Sequence, residues 1–269
     1  MSGIVSAEAW TGRVPVEDTF LAVTDSGGSG TPIVYLNGQF ATQGYWRRVI
    51  SDLGPQFRHI TYDERGRGRK SGKSADYSFA GAVRDVDAVL SYLNVPRAVV
   101  VGWSYGAAVA AYWVNAHPEQ TIGAVLVDGA YPYDWLDDAM EIRIRKLFRR
   151  MAPLMRLLRI TGLTPRMTAA EQAESNIELG VISRTSELQP VLDGISAPTR
   201  YVVASGTSFG SRGDELETLR TSLETVTSRN SAIRVSAKVS SSHGAVLSKN
   251  HADVARAIRE VATSGGGQG

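Results

Sequence analysis

The chain has 269 residues, of which 43% are hydrophobic and 21% charged, and its formal net charge is +2. This length and composition are typical of one large globular domain, and the near balance of charge argues against nucleic acid or a membrane surface as general partners. The absence of cysteine excludes disulfides, thiolate nucleophiles and thiolate metal sites, and the four histidines show no zinc-ligand spacing on a helix face.

Short apolar runs alternate with longer helical patterns from Pro32 onward, which predicts an α/β fold with a mostly parallel central sheet flanked by helices. Strands are predicted at residues 32–36, 57–63, 97–103, 124–128, 199–204 and 233–239. Helices are predicted at residues 79–93, 106–116, 212–227 and 250–262. The run at 97–103 contains no polar residue after Arg97, so we expect this strand in the middle of the sheet.

The stretch from 129 to 197 interrupts this alternation, because it is helical and charged and holds no strand candidate. We therefore predict a core domain made of residues 1–128 and 198–263, with 129–197 as a helical insertion after the strand that ends at Asp128. Residues 264–269 are expected to form a disordered tail.

Within the insertion, apolar side chains recur at steps of three and four residues. They are Met140, Ile144, Leu147, Met151, Leu154 and Leu158. Residues 141–166 also carry eight lysines and arginines against a single acid, Glu141. We interpret this pattern as a core-facing stripe with a solvated basic outer face. The alternative is that the basic insertion attracts an anionic substrate or an acidic carrier protein.

The first chemical motif is the G-x-S-x-G sequence at residues 102–106. An apolar strand precedes it and a helix of small residues follows, which is the context that a nucleophile elbow requires. Side chains at Gly102 and Gly106 would clash in so tight a turn, and Ser104 would be held in a strained conformation at a helix N-terminus. The motif predicts Ser104 as a nucleophile, the alternative being an ordinary strand-to-helix turn.

His243 is the candidate base for Ser104, because it lies in a polar loop after the last strand and downstream of the serine. The other histidines have simpler interpretations. His59 lies inside a strand, His117 at a helix exit, and His251 at the solvated start of a helix.

The acid that should orient His243 has two candidates. Asp128 ends a strand, so its carboxylate is expected in the crevice at the carboxyl ends of the strands, although a structural turn-capping role is the alternative. Asp214 follows the next strand, but it resembles an acid in the first turn of a helix. We predict Asp128 and keep Asp214 as the second candidate.

The loop Asn37-Gly38-Gln39-Phe40 follows the first predicted strand. An acyl-transfer site needs two backbone N–H groups at the oxyanion, and we assign them to Gln39 and Tyr105. Aromatic residues placed to line an apolar substrate pocket are Phe40, Trp103, Tyr131 and Trp135. The glycine- and arginine-rich stretch at 63–69 lacks phosphate-loop spacing, so we expect a structural turn in which Asp63 and Arg65 pair with neighbours.

Together these pieces resemble the α/β-hydrolase superfamily over nearly the whole chain, from about Pro15 to Ala262. The matching parts are the Asn37-Gly38 loop, the Asp63-x-Arg65-Gly66-x-Gly68 turn, the elbow at 102–106 and His243. The resemblance implies that the insertion 129–197 is a cap over the site. It also implies the order nucleophile, acid, histidine, which Ser104, Asp128 and His243 keep.

Two positions depart from the family pattern. Most relatives have histidine where this chain has Asn37, which leaves backbone oxyanion binding intact, and most carry their acid near the position of Phe209. Some members, including many haloalkane dehalogenases, place the acid one strand earlier, at the position of Asp128. The elbow serine argues against dehalogenase and epoxide-hydrolase chemistry, which uses a carboxylate nucleophile.

The sequence therefore predicts a serine hydrolase that cleaves an ester, lactone or related acyl bond of a small molecule with an apolar portion, without a metal or organic cofactor. Amidase, thioesterase, C–C hydrolase and perhydrolase activities stay open, because the fold supports them all. A ligand-binding protein with an unused triad is the alternative from another class. The chain lacks a signal-like start and any run long enough to span a bilayer, so a cytoplasmic location is expected, whereas the oligomeric state is open.

Overall fold

The computed structural model describes residues 8–68, 70–161, 165–206 and 213–264. Its centre is an eight-stranded sheet. The strands are Trp10–Val16 (β1), Thr19–Asp25 (β2), Thr31–Leu36 (β3), Phe57–Asp63 (β4), Ala98–Trp103 (β5), Thr121–Val127 (β6), Thr199–Ala204 (β7) and Ile233–Val239 (β8). The α-helices are Arg47–Leu53 (α1), Phe79–Tyr92 (α2), Tyr105–Ala116 (α3), Asp138–Thr161 (α4), Ala169–Ile182 (α5), Thr185–Gly194 (α6), Gly213–Arg229 (α7), Val246–Lys249 (α8) and His251–Ser264 (α9).

The strand order across the sheet is β1-β2-β4-β3-β5-β6-β7-β8. All pairings from β4 to β8 are parallel, whereas β1 pairs antiparallel with β2, and β2 antiparallel with β4. The predicted mostly parallel sheet is confirmed. The β1–β2 hairpin was not predicted, because Gly12 and Pro15 interrupt the strand pattern of β1, and an edge strand tolerates both residues.

Strand β5 occupies the middle of the sheet, as predicted, and all six of its residues are buried. Its valines alternate between two cores, with Val100 on the face covered by α2 and α3, and Val99 and Val101 on the face covered by α1 and α9. Successive strand residues point to opposite faces, so a strand covered on both faces must be apolar throughout. This packing fixes the end of β5, where the candidate site begins.

The segment between β6 and β7 consists of α4, α5 and α6 where the structure describes it. The interpretation of its apolar stripe as core-facing is wrong for Leu147, Met151 and Leu154, which are exposed. Helix α4 packs mainly against α5, which covers only part of its surface, and Met155 is the buried one among its described side chains. That this segment covers the site as a cap stays a prediction.

Ser264 ends α9, and the rest of the predicted tail lies outside the described residues. No helix in the described part of the chain combines the length and apolarity needed to cross a bilayer.

Candidate active site

The sharp turn between β5 and α3 holds Ser104 in a backbone conformation that is rare for a residue with a side chain, with φ 56° and ψ −116°. Ser104 is the residue before the first turn of α3, so its hydroxyl lies at the carboxyl edge of the sheet and at a helix N-terminus. Its backbone N–H donates to the carbonyl oxygen of Val127 at 2.9 Å, which ties the elbow to the end of β6.

The glycines on either side of Ser104 have no room for a side chain. A Cβ at Gly102 would stand 2.0 Å from the carbonyl oxygen of Gly106, which agrees with the predicted clash across the turn. At Gly106 the obstacle is different, because a Cβ there would stand 2.2 Å from the carbonyl oxygen of Leu36 in β3. Both glycines are therefore required for the turn to pack against the neighbouring strand.

Three predicted residues form one hydrogen-bonded chain at the carboxyl edge of the sheet. The Nε2 atom of His243 lies 2.9 Å from Ser104 Oγ, and its Nδ1 lies 2.7 Å from Asp128 Oδ2. His243 reaches this place from the short turn after β8, whereas Asp128 follows β6 directly. Residues distant in sequence meet here because the carboxyl ends of parallel strands share one edge of the sheet.

The second oxygen of Asp128 is also occupied. Asp128 Oδ1 accepts a hydrogen bond from the Ala204 backbone N–H at 3.1 Å and another from the Tyr131 hydroxyl at 3.0 Å. With donors on this oxygen, the carboxylate can only accept from His243, so Nδ1 carries the proton and Nε2 is left to accept from Ser104. The arrangement therefore selects the tautomer in which His243 can act as a base.

The backbone around Asp128 is as constrained as the elbow. Asp128 has a φ of 45° and Ala130 a φ of 58°, both in the left-handed region. A Cβ at Gly129 would stand 2.4 Å from the carbonyl oxygen of Ser104, so the two turns touch through their backbones. This contact places the acid and the serine on adjoining strands without a side chain between them.

The loop after β3 supplies the second part of the site. The backbone N–H groups of Gln39 and Tyr105 donate to no acceptor among the described residues, which leaves both available to a ligand. Gly38 is pressed against the Trp103 ring, where a Cβ would stand 2.8 Å from a ring carbon. The Gln39 side chain donates to Ser175 Oγ in α5 at 3.1 Å, so this loop also contacts the segment between β6 and β7.

Glu64 anchors the loop after β3 through Asn37, a role that the sequence did not predict. Its two carboxylate oxygens accept from the backbone N–H and the side-chain Nδ2 of Asn37, each at 3.1 Å. Asn37 also donates to the Tyr62 carbonyl oxygen and accepts from Trp46 Nε1. Burial raises the pKa of Glu64 to about 7, and the nearby Arg67 and the Asn37 hydrogen bond oppose the rise.

Aromatic rings surround the serine and the histidine. The Trp103 ring lies 5.6 Å from the His243 ring and stacks on Tyr45 at 5.5 Å. A cleft of about 430 Å³ opens beside Tyr45 and Gly244. The cleft therefore lies beside the turn that carries His243.

The other residues predicted to line the pocket, Phe40, Tyr131 and Trp135, contact different parts of the chain. Phe40 packs against Phe148 of α4 with ring centroids 6.1 Å apart, and Tyr131 contacts Asp128 through its hydroxyl. Trp135 lies against α5, where its ring blocks the position that a Cβ of Gly180 would take. The structure brings Phe40, Trp103 and Tyr131 next to site residues, but no described contact joins Trp135 to Ser104, His243 or Asp128.

The remaining histidines have structural partners. His59 Nδ1 bonds the Tyr35 hydroxyl at 2.9 Å in a buried position, and burial lowers its pKa. His117 stacks on Trp113, and His251 pairs with Asp52. The competing acid Asp214 belongs to α7, but its side chain lies outside the described residues, as does Phe209.

The predicted structural turn after β4 is confirmed for both named residues. Asp63 Oδ1 accepts from the Gln43 backbone N–H at 2.8 Å. Arg65 is 4% exposed and pairs with Asp85, its Nη2 lying 2.7 Å from Asp85 Oδ1. Among the described residues, no group of three or more histidines and acids is arranged to hold a metal ion.

Comparison with known proteins agrees with this fold. Residues 31–160 match the family model of the alpha/beta hydrolase fold. A haloalkane dehalogenase from Mesorhizobium japonicum is 26% identical over 140 residues, which cover 52% of this chain and 45% of the relative. The chain matches less than half the length of the curated relatives.

Solved structures match over nearly the whole chain. A thermophilic esterase from Thermogutta terrifontis has a TM-score of 0.70 at 18% identity, covering 96% of this chain and 99% of the other. An enol-lactonase from Burkholderia xenovorans has a TM-score of 0.67 at 19% identity, covering 94% of this chain and 100% of the other. At this identity the likeness is one of fold alone.

Proposed function

Since the chain belongs to the α/β-hydrolase superfamily, we propose that it is a serine hydrolase that cleaves a carboxylic ester, lactone or related acyl bond. The observation that carries the proposal is the unbroken hydrogen-bonded chain from Ser104 Oγ through His243 to Asp128. Each member of this chain has the donor or acceptor that nucleophilic catalysis by serine needs.

In the first step, Ser104 Oγ attacks the carbonyl carbon of the substrate while His243 Nε2 takes the hydroxyl proton. Asp128 stabilises the imidazolium that forms, because its carboxylate accepts the Nδ1 proton at 2.7 Å. The imidazolium then protonates the leaving alcohol oxygen as the C–O bond breaks. An acyl group remains on Ser104.

In the second step, water attacks the acyl carbon and gives its proton to His243. The C–O bond to Ser104 breaks, Ser104 Oγ regains a proton, and a carboxylic acid leaves. In both steps negative charge develops on the carbonyl oxygen of the substrate. The available N–H groups of Gln39 and Tyr105 are suited to stabilise it, since donors fixed before the reaction need no reorganisation.

The surroundings of the serine favour a small molecule with an apolar portion. Trp103 and Phe40 lie beside the serine and the oxyanion loop, and Phe148 of α4 packs on Phe40. These rings would bury apolar surface of the acyl or alcohol part and so contribute to binding. The proposed cap role of the segment between β6 and β7 is supported by its contacts with Gln39 and Phe40.

A hydrolysis panel tests the proposal. Esters, lactones, thioesters and amides with matched acyl groups should be compared for kcat/KM with the wild-type protein and with Ser104→Ala. We expect turnover of the oxygen esters or lactones and its loss in the variant. No turnover of any class by folded protein would contradict the proposal and bring forward a ligand-binding role.

A further inference from the structure

A buried arginine next to the oxyanion loop has no ionic partner. Arg67 is 6% exposed, and its Nε and Nη1 atoms are buried without a hydrogen-bond partner among the described residues. No described carboxylate forms an ion pair with it. Glu64 attracts this guanidinium, but two of its buried donor atoms stay unsatisfied, and an unsatisfied buried donor is costly.

The same turn contains a structural arginine whose charge is paired. Arg65, two residues earlier, is equally buried, but its guanidinium is paired with Asp85 and also contacts Glu17. Arg58 is likewise paired with Asp25 at 2.7 Å. Arg67 differs from both, although it lies on the same stretch of chain.

The position of Arg67 links it to the proposed site. Its guanidinium stands over the Phe40 ring, 4.7 Å from the centroid, and Phe40 follows the oxyanion candidate Gln39. An anionic group held here would therefore belong to a molecule that also reaches the oxyanion loop. The cation–π contact covers one flat face of the guanidinium, and the Nε and Nη1 atoms at its edge have no hydrogen-bond partner among the described residues.

A second arginine reaches the same turn from the segment between β6 and β7. The backbone N–H of Arg166 donates to the carbonyl oxygen of Gly66, the residue before Arg67, at 2.7 Å. Arg166 is partly buried, and its Nε and Nη2 atoms also lack a hydrogen-bond partner among the described residues. Two guanidinium groups with unused donors thus come from neighbouring backbones.

The charges near Arg67 and Arg166 restrict the net charge of a ligand that could bind there. Glu64 lies close enough to influence Arg67, but both of its oxygens already accept from Asn37. The carboxylate of Glu64 near the Arg67 guanidinium disfavours a dianion there and favours a ligand with a single negative charge. The planar fork of a guanidinium also matches a carboxylate, which it can bind through two parallel hydrogen bonds.

We propose that Arg67 and Arg166 form a subsite for a carboxylate of the substrate, so that the preferred substrates are esters or lactones bearing a free carboxylate. This inference rests on the proposed hydrolase function and adds a substrate class to it. The aromatic rings then hold the apolar part between the carboxylate and the scissile bond. Burial lowers the pKa of Arg67, and the attraction of Glu64 opposes this shift.

Monomethyl and dimethyl esters of the same straight-chain dicarboxylic acids, from four to eight carbons, provide matched substrates. The two differ by one methyl group and by the charge, and hydrolysis is followed by proton release. We expect wild-type kcat/KM to favour the monoester at the chain length that spans the site. Arg67→Met and Arg166→Met should each lower this monoester-to-diester ratio by roughly ten- to a hundredfold, as the loss of a charge-assisted hydrogen bond implies.

Two further variants complete the design. Arg67→Lys keeps the charge but not the fork, so it should restore part of the ratio. Arg150→Met removes an exposed positive charge of α4 and should leave the ratio unchanged. An equal loss in Arg150→Met would instead assign the preference to the general field of the basic segment and overturn the subsite. A wild-type ratio that favours the diester at every chain length would overturn it as well.

Calorimetry with Ser104→Ala separates this inference from the proposed function. Binding of the monoester to Ser104→Ala, weakened by adding Arg67→Met, supports the subsite even if no ester is hydrolysed by the wild-type protein. Turnover of dimethyl esters without preferential binding of monoesters supports the hydrolase and refutes the subsite. Arg67→Met should unfold at a temperature close to that of wild type, because the loss of the attraction to Glu64 is offset by the removal of two unsatisfied buried donors, whereas a marked decrease would indicate a structural role.

Discussion

Replacing Asp128 by asparagine should reduce kcat by about 10⁴-fold while leaving the fold intact. An asparagine at this position has two orientations. If its oxygen faced His243, its NH₂ group would face the Ala204 N–H and the Tyr131 hydroxyl, both of which donate to Oδ1 in the structure. That orientation loses the hydrogen bond of the Ala204 N–H, at about 1–3 kcal/mol, whereas the Tyr131 hydroxyl can turn and accept from the NH₂ group.

The opposite orientation is therefore favoured by about 2 kcal/mol, which is a population ratio of about thirty. In it the NH₂ group donates to His243 Nδ1, so the imidazole proton moves to Nε2 and points at Ser104. His243 can then no longer accept the proton of Ser104. The barrier to acylation should rise by about 5 kcal/mol, which corresponds to the expected decrease in kcat.

Steady-state kinetics of Asp128→Asn with the preferred ester, together with its urea unfolding curve, measures this effect. Asp214→Asn should retain wild-type kcat. If Asp128→Asn keeps more than a tenth of kcat while Asp214→Asn abolishes turnover, the assignment of the acid is wrong.

Three further changes test the supporting structure. Glu64→Gln should flatten the pH dependence of unfolding. In the folded wild-type protein the pKa of Glu64 is about 7, above the ordinary 4.5, so the free energy of unfolding should fall by about 3 kcal/mol as pH rises from 4.5 to 7. Urea unfolding of both proteins across that pH range measures the difference. Gly102→Ala should cost about 2 kcal/mol or more, since its Cβ would stand 2.0 Å from a backbone oxygen. Gly244→Ala, with open space around its Cβ, should unfold like wild type, and equal stability of the two alanine variants would contradict the tight elbow. Arg65→Met should lower the unfolding free energy by about 3–5 kcal/mol, because it leaves Asp85 buried without its partner. The double change with Asp85→Leu should recover most of the loss. If it recovers nothing, the broken ion pair is not the cause of the destabilisation.

The central part of the fold could be predicted because its signals are local. The apolar run of β5, the glycines around Ser104 and the small residues of α3 lie within twenty residues of one another. The meeting of His243 with Asp128 follows from the rule that parallel strands end at one edge, so topology places them even though 115 residues separate them.

Other features depend on contacts that no local pattern encodes. Glu64 reaches Asn37 because β3 and β4 are neighbours in register, with Tyr35 opposite Thr61, and a sequence without known strand pairing does not provide this information. The exposure of Leu147 depends on how little of α4 is covered by α5, which periodicity alone does not reveal. The sequence pattern indicates only that Arg67 belongs to a turn, and its burial is known only from the structure.

The limits of single elements were less predictable than their existence. The strand expected to end at Asp128 ends at Val127, since Asp128 adopts a positive φ that terminates the ladder. Helix α1 was not predicted, because the seven residues of Arg47–Leu53 are too few to show a helical period clearly.

Labelling with a fluorophosphonate, followed by intact mass and peptide mapping, tests the central claim most directly. The reagent reacts with serines that a neighbouring base activates, and it needs no knowledge of the substrate. We predict one adduct per chain, located at Ser104, absent from Ser104→Ala and strongly slowed in His243→Ala. Folded wild-type protein without an adduct, or with an adduct at another serine, would contradict the claim that Ser104 is the activated nucleophile.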